Sequence, residues 1–423
     1  MKNIKWPLII FILFTILFIS IYIIHSIKTK SNDSKDENIN IYDNRDNNES
    51  NNIDKNENYY IDTIVNSMST EQKVGQLFIC AFRKDEKNNN MYELSNKAKD
   101  FIENYNLGGV ILFSENIKDI EQTKKLISDI KNSNVSIPMF LSVDVEGGLV
   151  DRLSKSSLYK TLPYISELGK TKDLNLAYEY AKIIARRLAY LGFNLDFAPV
   201  CDLDNTTAIK YRSFGKDPEV VSKMIEGYIK GLSEYKISST LKHFPGLGSS
   251  DTDTHENISN SNITLSELEK SDFIPFEKGI ETGSNIIMVN HVIYNNLSNI
   301  KLPASLNKDI YNILRKNLKF DGIAITDGLE MGAITKQNIN TSPAYSAFVA
   351  GADMLLLPQD LDKSYNEILN AVKSGEISMQ RLNDSARRII KYKYKSGFFK
   401  KDNKNNNIKF YDESDNKILD EIK

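Results

Sequence analysis

The 423-residue chain is poor in the residues that build disulfide frameworks and metal centres. It contains two cysteines and four histidines, and Cys80 and Cys201 lie far apart within apolar runs. Buried free thiols are therefore favoured over a disulfide, and no cysteine and histidine residues have the spacing of a zinc site. The sequence predicts a protein that uses no metal and no other cofactor.

An excess of charge of one sign is also missing. The 54 Lys and Arg residues nearly balance the 56 Asp and Glu residues, the formal net charge is −2, and no basic stripe is present. Nucleic acid is not an expected partner, because binding to phosphates requires a basic surface. With 41% hydrophobic and 26% charged residues, the composition is that of a globular protein with a sizeable core.

Long hydrophobic runs are absent except near the N-terminus. The stretch from Trp6 to Ile27 contains no Lys, Arg, Asp or Glu, and ~20 apolar residues are enough for a helix to cross a membrane. A cleaved signal peptide is the alternative, but its apolar region is usually ~7–15 residues long and is followed by small residues. The sequence favours an uncleaved anchor. The rest of the chain is placed outside the cell only by default, because Lys28 and Lys30 follow the run.

Shifts in composition divide the chain into four parts. Residues 1–30 are the predicted membrane anchor. Residues 31–58, rich in Asn, Asp, Lys and Glu, have too few apolar side chains to fold and are predicted to be a disordered polar linker. Residues 59–400 form the predicted globular body, and residues 401–423 are a tail with the same polar character as the linker.

Eight short apolar runs alternate with segments of helical periodicity in the body. The runs are LFICAF from Leu77, GVILF from Gly109, PMFLSVD from Pro138, LDFAPV from Leu195, STLKHF from Ser239, IIMVNH from Ile286, GIAITD from Gly322 and DMLLLP from Asp353. Runs that are apolar nearly throughout are typical of buried parallel strands. The alternation predicts an α/β fold, a single (β/α)8 barrel. A doubly wound open sheet is the alternative, but it would have a glycine-rich loop where Phe82-Arg83-Lys84 stands.

Polar residues stand at the carboxyl ends of several of these runs. They are Asp144, Lys242, His243, Asn290, His291 and Asp327. The carboxyl ends of the strands form the active face of a parallel barrel. These side chains are therefore expected to meet at one site.

The segment KHFPGLGSSDTDTH, from Lys242 to His255, combines loop-forming and reactive residues. Pro245 and two glycines predict a loop that carries Asp253 and His255. An aspartate two residues from a histidine can accept the ring N–H and raise the basicity of the ring. An ordinary surface loop would also contain such residues. A metal site of His243, Asp253 and His255 is a further alternative, although its spacing matches no common ligand pattern.

The motif Lys-His-Phe-Pro-Gly with a following Asp-Thr-His closely resembles the signature of glycoside hydrolase family 3. The similarity is strongest to the bacterial β-N-acetylglucosaminidase branch, with its pattern KHFPGHG…DSH. Further matches, in the expected order, are MSTEQKVGQL from Met68, DVEGGLVDRL from Asp144, FAPVCDLD from Phe197, RSFGKDP from Arg212 and ITDGLEM from Ile325. The resemblance covers essentially the whole body.

The resemblance implies a role for individual residues. It implies that Asp327 is the nucleophile, that His255 is the acid/base and that Asp253 is the partner of His255. Asp144, Arg152, Arg212, Lys242 and His243 would bind the hydroxyls and the acetamido group of the sugar. Taken alone, Asp144 and Arg152 fit a loop salt bridge, and Asp327 fits a helix N-cap before Gly328.

The resemblance also implies the reaction. It is that of a retaining β-N-acetylhexosaminidase, which removes terminal β-linked N-acetylglucosamine through a covalent glycosyl-Asp intermediate. Peptidoglycan fragments are the implied substrates of a membrane-anchored, extracellular and monomeric enzyme. The alternatives are a family 3 β-glucosidase, an N-acetylglucosaminide phosphorylase and a non-catalytic, membrane-displayed sugar-binding barrel. Departures from the family pattern, at Val145, Leu149, Leu247 and Thr326, bear on which aglycone is accepted.

Overall fold

The computed structural model describes residues 47–154, 161–206, 209–247, 259–335, 340–399 and 408–422, with side chains from residue 57. The chain divides into two compact units, Met1–Asn56 and Glu57–Lys423, and the second contains all the strands and site residues described below. The predicted span from Trp6 to Ile27 lies outside the described residues. Within the described ranges, no helix has both the length and the apolar character needed to cross a membrane.

The apolar runs form the strands of the fold. In chain order, the strands are β1 (Phe78–Cys80), β2 (Gly109–Ile111), β3 (Phe140–Val143), β4 (Val145–Gly147), β5 (Val150–Asp151), β6 (Leu195–Asp196), β7 (Leu241–Phe244), β8 (Asn260–Ser261), β9 (Ile286–Val289), β10 (Ile293–Tyr294), β11 (Ile323–Thr326) and β12 (Leu355–Leu356). Each of the eight predicted runs contains one of these strands. Within these runs nearly every strand residue is buried, as expected for strands covered on both faces.

The strands that come from the predicted runs pair with one another in parallel. One sheet has the order β12-β1-β2-β3-β6 and another has the order β11-β9-β7. Parallel bridges also join Leu195 to Ser238 and Val200 to Lys242, next to β6 and β7, and Ile325 to Met354, next to β11 and β12. The predicted α/β class with parallel strands is confirmed. Strands β4 and β5 form a small antiparallel hairpin directly after β3.

Helices occupy most of the segments between these strands. They are α1 (Asn47–Ser67), α2 (Thr70–Gly75), α3 (Asn96–Tyr105), α4 (Ile120–Lys131), α5 (Ile165–Thr171), α6 (Leu174–Leu191), α7 (Pro218–Ser233), α8 (Leu265–Lys270), α9 (Phe273–Glu281), α10 (Lys308–Lys316), α11 (Gly332–Thr335), α12 (Pro343–Ala350), α13 (Leu361–Ser374), α14 (Met379–Lys395) and α15 (Ser414–Asp420). Helix α7 has proline at its first position, and Asp217 caps it by accepting a hydrogen bond from the Glu219 N–H at 3.0 Å.

Helix α1 differs from the predicted polar linker, because residues 47–58 are helical. Its C-terminal half packs Ile61 and Val65 against α14, in a small core that also contains Ile390. Arg387 of α14 donates to the Asp62 carboxylate at 2.7 Å. These contacts, made by residues far away in the sequence, anchor the helix, and composition alone gives no sign of them.

The predicted polar tail also contacts the body over residues 408–422. Asp415 is buried and accepts two hydrogen bonds from the Arg186 guanidinium of α6, at 2.6 and 2.5 Å. The ring of Phe410 meets that of Tyr190 edge-on, with the centroids 5.6 Å apart. A few apolar residues and one buried ion pair are therefore enough to dock a segment of polar composition.

Both cysteines are buried and free. Cys80 lies in β1, and Cys201 follows β6. Burial raises the pKa of both thiols far above their ordinary value, so neither is a reactive thiolate near neutral pH. The prediction of buried free thiols is confirmed.

Candidate active site

A buried ion cluster lies at the carboxyl ends of β3 and β7. Glu146, in β4, accepts hydrogen bonds from Arg212 Nε and Nη2, both at 2.8 Å, and its Oε1 lies 2.6 Å from Lys242 Nζ. The side chains of Glu146 and Lys242 are 1% and 3% exposed. Burial by itself raises the pKa of the Glu146 carboxyl, but Arg212 and Lys242 outweigh this effect and hold the pKa well below its usual range. Glu146 is therefore a permanent anion that fixes two cations.

Asp144 extends this cluster toward solvent. Its Oδ1 accepts a hydrogen bond from Lys242 Nζ at 3.2 Å, and its Oδ2 lies 3.9 Å from Arg152 Nε. Burial lowers the pKa of the Lys242 ammonium, but Glu146 and Asp144 more than compensate, so the pKa is raised and the lysine stays charged. Asp144 and Arg152 form a loop salt bridge, the alternative to sugar binding that the sequence left open for them. They form it beside the ion cluster, and the side chains of Arg152 and Asp144 are 28% and 16% exposed.

The ring of His243 is held in one orientation. Its Nδ1 lies 2.6 Å from Asp202 Oδ2, and its Nε2 lies 3.4 Å from Arg212 Nη2. A carboxylate accepts only and a guanidinium donates only. The neutral tautomer with its proton on Nδ1 therefore satisfies both contacts, and Nε2 is the basic atom. Asp202 also accepts the backbone N–H groups of His243 and Leu247, at 3.1 and 2.6 Å.

Asp327 follows the last residue of β11 and is partly exposed. Its backbone N–H donates to Val289 O of β9 at 2.9 Å, and its Oδ1 accepts the N–H of Gly328 at 2.7 Å. The short helix α11 begins only at Gly332, so Asp327 is not its N-cap. The buried His291 donates from Nε2 to Gly328 O at 3.0 Å and so supports the turn that presents the carboxylate.

Charge couples Asp327 to the ion cluster. Burial lowers the pKa of the Arg212 guanidinium, but Glu146 above all, with Asp202 and Asp327, raises it above its ordinary value. Arg212 therefore lies within electrostatic range of Asp327 and favours the ionised carboxylate. The structure brings five predicted residues into one contact network: Asp144, Arg152, Arg212, Lys242 and His243. Asp327 lies close enough to interact electrostatically with Arg212 of this network.

The predicted residues Asp253 and His255 lie within 248–258, outside the described residues. The described part of their loop begins at Pro245 and Gly246. Gly246 has a φ of +140°, and a Cβ there would lie 2.3 Å from Asp272 Oδ1. Only glycine fits both the conformation and the space.

Three buried carboxylates of the site were not selected from the sequence: Glu146, Asp202 and Asp196. Glu146 and Asp202 stand within the motifs DVEGG and FAPVCDLD, two residues from Asp144 and at the end of an apolar run. An acidic residue inside an otherwise buried run was the available signal. Asp196 ends β6 and accepts the Val145 N–H at 2.9 Å. Burial raises the pKa of the Asp196 carboxyl far above its usual range, although the Val145 N–H and Lys242 act in the opposite direction.

The charged residues of the site therefore lie at the carboxyl ends of strands in an α/β fold, the place where such folds carry their active sites. Residues 69–392 match the glycosyl hydrolase family 3 N-terminal domain, and the chain belongs to that family.

Individual members of the family are similar over most of the body. The chain is 31% identical over 300 residues to a beta-hexosaminidase of Stenotrophomonas maltophilia (strain K279a), covering 69% of this chain and 87% of that protein. It is 28% identical over 336 residues to beta-hexosaminidase A of Pseudoalteromonas piscicida, covering 72% of this chain but spanning only 56% of that protein.

A solved structure of the same family is similar to this chain in fold. It is a glycoside hydrolase family 3 beta-N-acetylglucosaminidase from Paenibacillus sp. str. FPU-7, with a TM-score of 0.77 and 30% identity. The match covers 84% of this chain and 68% of that one. The family resemblance inferred from the motifs is confirmed.

Proposed function

We propose that the chain is a β-N-acetylhexosaminidase that hydrolyses terminal β-linked N-acetylglucosamine. The observation that carries this proposal is the buried cluster of Glu146, Lys242 and Arg212, with Asp144 and His243 at its edge and Asp327 in its field. It offers fixed donors and acceptors for the hydroxyls of one sugar ring, with the partly exposed carboxylate of Asp327 within electrostatic range. The names of the similar proteins support N-acetylglucosamine as that sugar.

The parallel pairings support a closed (β/α)8 barrel. Beginning at β1, the order β1-β2-β3-β6 continues through the bridges beside Leu195 and Val200 to β7-β9-β11, and through Ile325 and Met354 to β12, which pairs with β1. Side chains at the carboxyl ends of such strands converge above the centre of the barrel. The closed barrel explains how residues from β3, β6, β7 and β11 act on one sugar.

Asp327 is the proposed nucleophile. In a retaining reaction, a carboxylate attacks the anomeric carbon and a glycosyl-enzyme intermediate forms, which water then hydrolyses. Asp327 must be ionised for this attack, and the nearby Arg212 favours that state. Asp202 and Arg212 hold the ring of His243 in place beside the proposed sugar site, while Lys242 and Arg212 donate to sugar oxygens.

His255, with Asp253, is the proposed acid/base, on the strength of the sequence motif. Imidazole and imidazolium interconvert near pH ~6–7, so one ring can protonate the leaving oxygen and then activate water. An aspartate partner stabilises the charged ring and orients it. We also propose peptidoglycan fragments as substrates, and an extracellular monomer held at the membrane by residues 1–30.

The test compares Asp327→Asn with the wild-type chain on 4-nitrophenyl N-acetyl-β-glucosaminide and on the matching glucoside. The wild type should prefer the N-acetylglucosaminide, and Asp327→Asn should lose at least ~10⁴-fold in kcat, because the nucleophile is gone. Circular dichroism checks that the variant is folded. Equal turnover of both glycosides would reject the substrate, and an active Asp327→Asn enzyme would reject the nucleophile.

A further inference from the structure

The strand that carries Glu146 contains a β-bulge. In the hairpin of β4 and β5, Val145 pairs with Asp151 and Gly147 pairs with Val150, so two steps along β4 match one step along β5. Glu146 is therefore the extra residue of the bulge. A bulge interrupts the hydrogen bonds between the strands and redirects a side chain. Here the redirected side chain is the carboxylate that fixes the two cations of the ion cluster.

The hairpin is too short to hold this shape by itself. Strand β4 has three residues and β5 has two, and an isolated two-stranded hairpin is only marginally stable in water. All three residues of β4 are buried, and buried backbone N–H and carbonyl groups need hydrogen-bond partners. The bulge therefore depends on partners from other elements.

Tyr228 of α7 is the main partner of the bulge. Its hydroxyl shares one proton between Val145 O and Glu146 O, at 3.2 Å from each. The Val145 N–H is held separately, by Asp196 at 2.9 Å. Tyr228 is fully buried, and burial raises the pKa of its phenol well above the ordinary value. The hydroxyl therefore keeps its proton and remains a donor.

The packing of the Tyr228 ring does not explain its hydroxyl. The ring meets that of Phe214 edge-on, with the centroids 6.1 Å apart, and its centroid lies 6.3 Å from that of the Tyr180 ring. A phenylalanine ring would make both contacts equally well. The oxygen atom is used only toward the backbone of the bulge, among the residues that the structure describes.

A second buried tyrosine supports the next residue of the bulge. Gly147 has a φ of +108°, and a Cβ there would lie 1.9 Å from Tyr180 Oη. Tyr180, in α6, donates to Pro163 O at 2.8 Å, which fixes its hydroxyl against Gly147. Two buried tyrosines, from helices that follow each other in the chain, therefore support the segment that carries Glu146.

We propose that Tyr228 is a positioning residue, whose hydroxyl fixes the bulge that directs Glu146 toward Lys242 and Arg212. The inference rests on the proposed function, because it requires that this ion cluster holds the sugar. Tyr228 acts through the backbone of Glu146 and does not bind the substrate itself.

The experiment is a double-mutant cycle between Tyr228→Phe and Glu146→Gln, measured as kcat/KM on 4-nitrophenyl N-acetyl-β-glucosaminide. Tyr228→Phe alone should lower kcat/KM about tenfold, because two buried carbonyl groups lose their donor and the bulge shifts. In the Glu146→Gln background, the same substitution should change kcat/KM by less than about twofold, because the side chain that it positions no longer binds the two cations. An effect that did not pass through Glu146 would be tenfold in both backgrounds.

Tyr365→Phe is the matched control. Tyr365 is a buried tyrosine of α13, and its hydroxyl donates to Glu71 O in α2 at 3.1 Å. Helix α2 precedes β1, so this contact lies away from the carboxyl ends of the strands. Tyr365→Phe should leave kcat/KM unchanged in both backgrounds. A tenfold loss from this control would show that any missing buried hydroxyl lowers activity, and would overturn the inference.

The outcomes separate the inference from the proposed function. Circular dichroism checks that each variant is folded, and Tyr180→Phe, on the same bulge, takes the place of Tyr228→Phe in the cycle if that variant does not fold. If the wild type hydrolyses no N-acetyl-β-glucosaminide, the proposed function fails and the inference fails with it. If the wild type is active and the effects of the two substitutions multiply, or Tyr228→Phe keeps the full kcat/KM, the inference alone is overturned.

Discussion

Two regions of the body each bury a carboxylate among several cations, at opposite ends of the strands. At the carboxyl ends, Glu146 contacts Arg212 and Lys242. At the amino end of β12, Asp353 contacts Arg315 at 2.5 Å and Arg388 at 3.3 Å, and Arg381 lies 3.9 Å away. The two clusters contain similar groups and differ in what else those groups bind.

Two of the arginines around Asp353 also donate hydrogen bonds to backbone carbonyl groups. Arg315 donates to Phe320 O and Gly322 O at 2.8 and 2.7 Å, and Arg381 donates to Phe348 O and Ala352 O at 2.9 and 2.5 Å. The Asp353 carboxylate itself accepts the N–H of Ala324 in β11. This cluster ties α10, α12 and α14 to the sheet, so its groups are committed to the fold.

The cations around Glu146 are bound to other side chains. Among the residues that the structure describes, the Lys242 ammonium pairs with Glu146 and Asp144, and the Arg212 guanidinium contacts Glu146 and His243. Charged groups that are ordered by each other and not by the backbone can bind a ligand without rearrangement. The difference indicates that one cluster maintains stability and the other maintains function.

The largest expected effect comes from breaking the structural cluster. Asp353→Ala should lower the free energy of unfolding by about 3–5 kcal/mol, because it leaves buried guanidinium groups without their anion. Denaturant unfolding followed by circular dichroism measures the loss. The folded fraction should retain the kcat/KM of the wild type. A stable but inactive Asp353→Ala protein would contradict the proposed division of roles.

A smaller effect, on activity, is expected from Glu146→Gln. The amide cannot neutralise Lys242 and Arg212, so kcat/KM should fall about 100-fold, the size expected for lost hydrogen bonds between charged groups. Steady-state kinetics on an N-acetyl-β-glucosaminide checks this. Glu226→Gln, which breaks a half-exposed helix pair with Lys230, is the matched control and should be active. If both variants were equally active, the cluster would not bind substrate.

The smallest effect concerns a buried carboxylate without a cation. Asp272 is 3% exposed, and its only hydrogen-bond partner among the described residues is the Ser271 hydroxyl. Burial raises the pKa of its carboxyl to about 6, the opposite of the shift at Glu146. A raised pKa in the folded state means that the stability contribution is complete below pH ~4 and is lost as the pH rises through about 6.

Asp272→Asn should therefore gain about 2 kcal/mol in unfolding free energy over the wild type at pH 8, and little at pH 4. Denaturant titrations at both pH values measure the difference. An equal effect of the substitution at both values would show that Asp272 does not titrate in this range.

Much of the site could be predicted because it depends on local patterns. Asp144 and Asp327 directly follow buried strands, whereas Lys242 and His243 lie within one, and an apolar run of that length identifies each strand by itself. The carboxyl ends of parallel strands lie on one side of the fold, so the position of these residues in the chain already places them together. The family motifs then supply their order.

The tertiary structure decided the interactions that depend on distant partners. Glu146 is a site residue because Arg212, 66 positions later, and Lys242 contact it, and Asp202 orients His243 across 41 positions. Likewise, α1 and residues 408–422 belong to the body because Ile390, Arg387 and Arg186 bind them. The overall polar composition of these two segments hides the few apolar and charged residues that dock them. The sequence by itself determined where strands end, because burial leaves a local pattern, whereas ion pairs over long separations leave none.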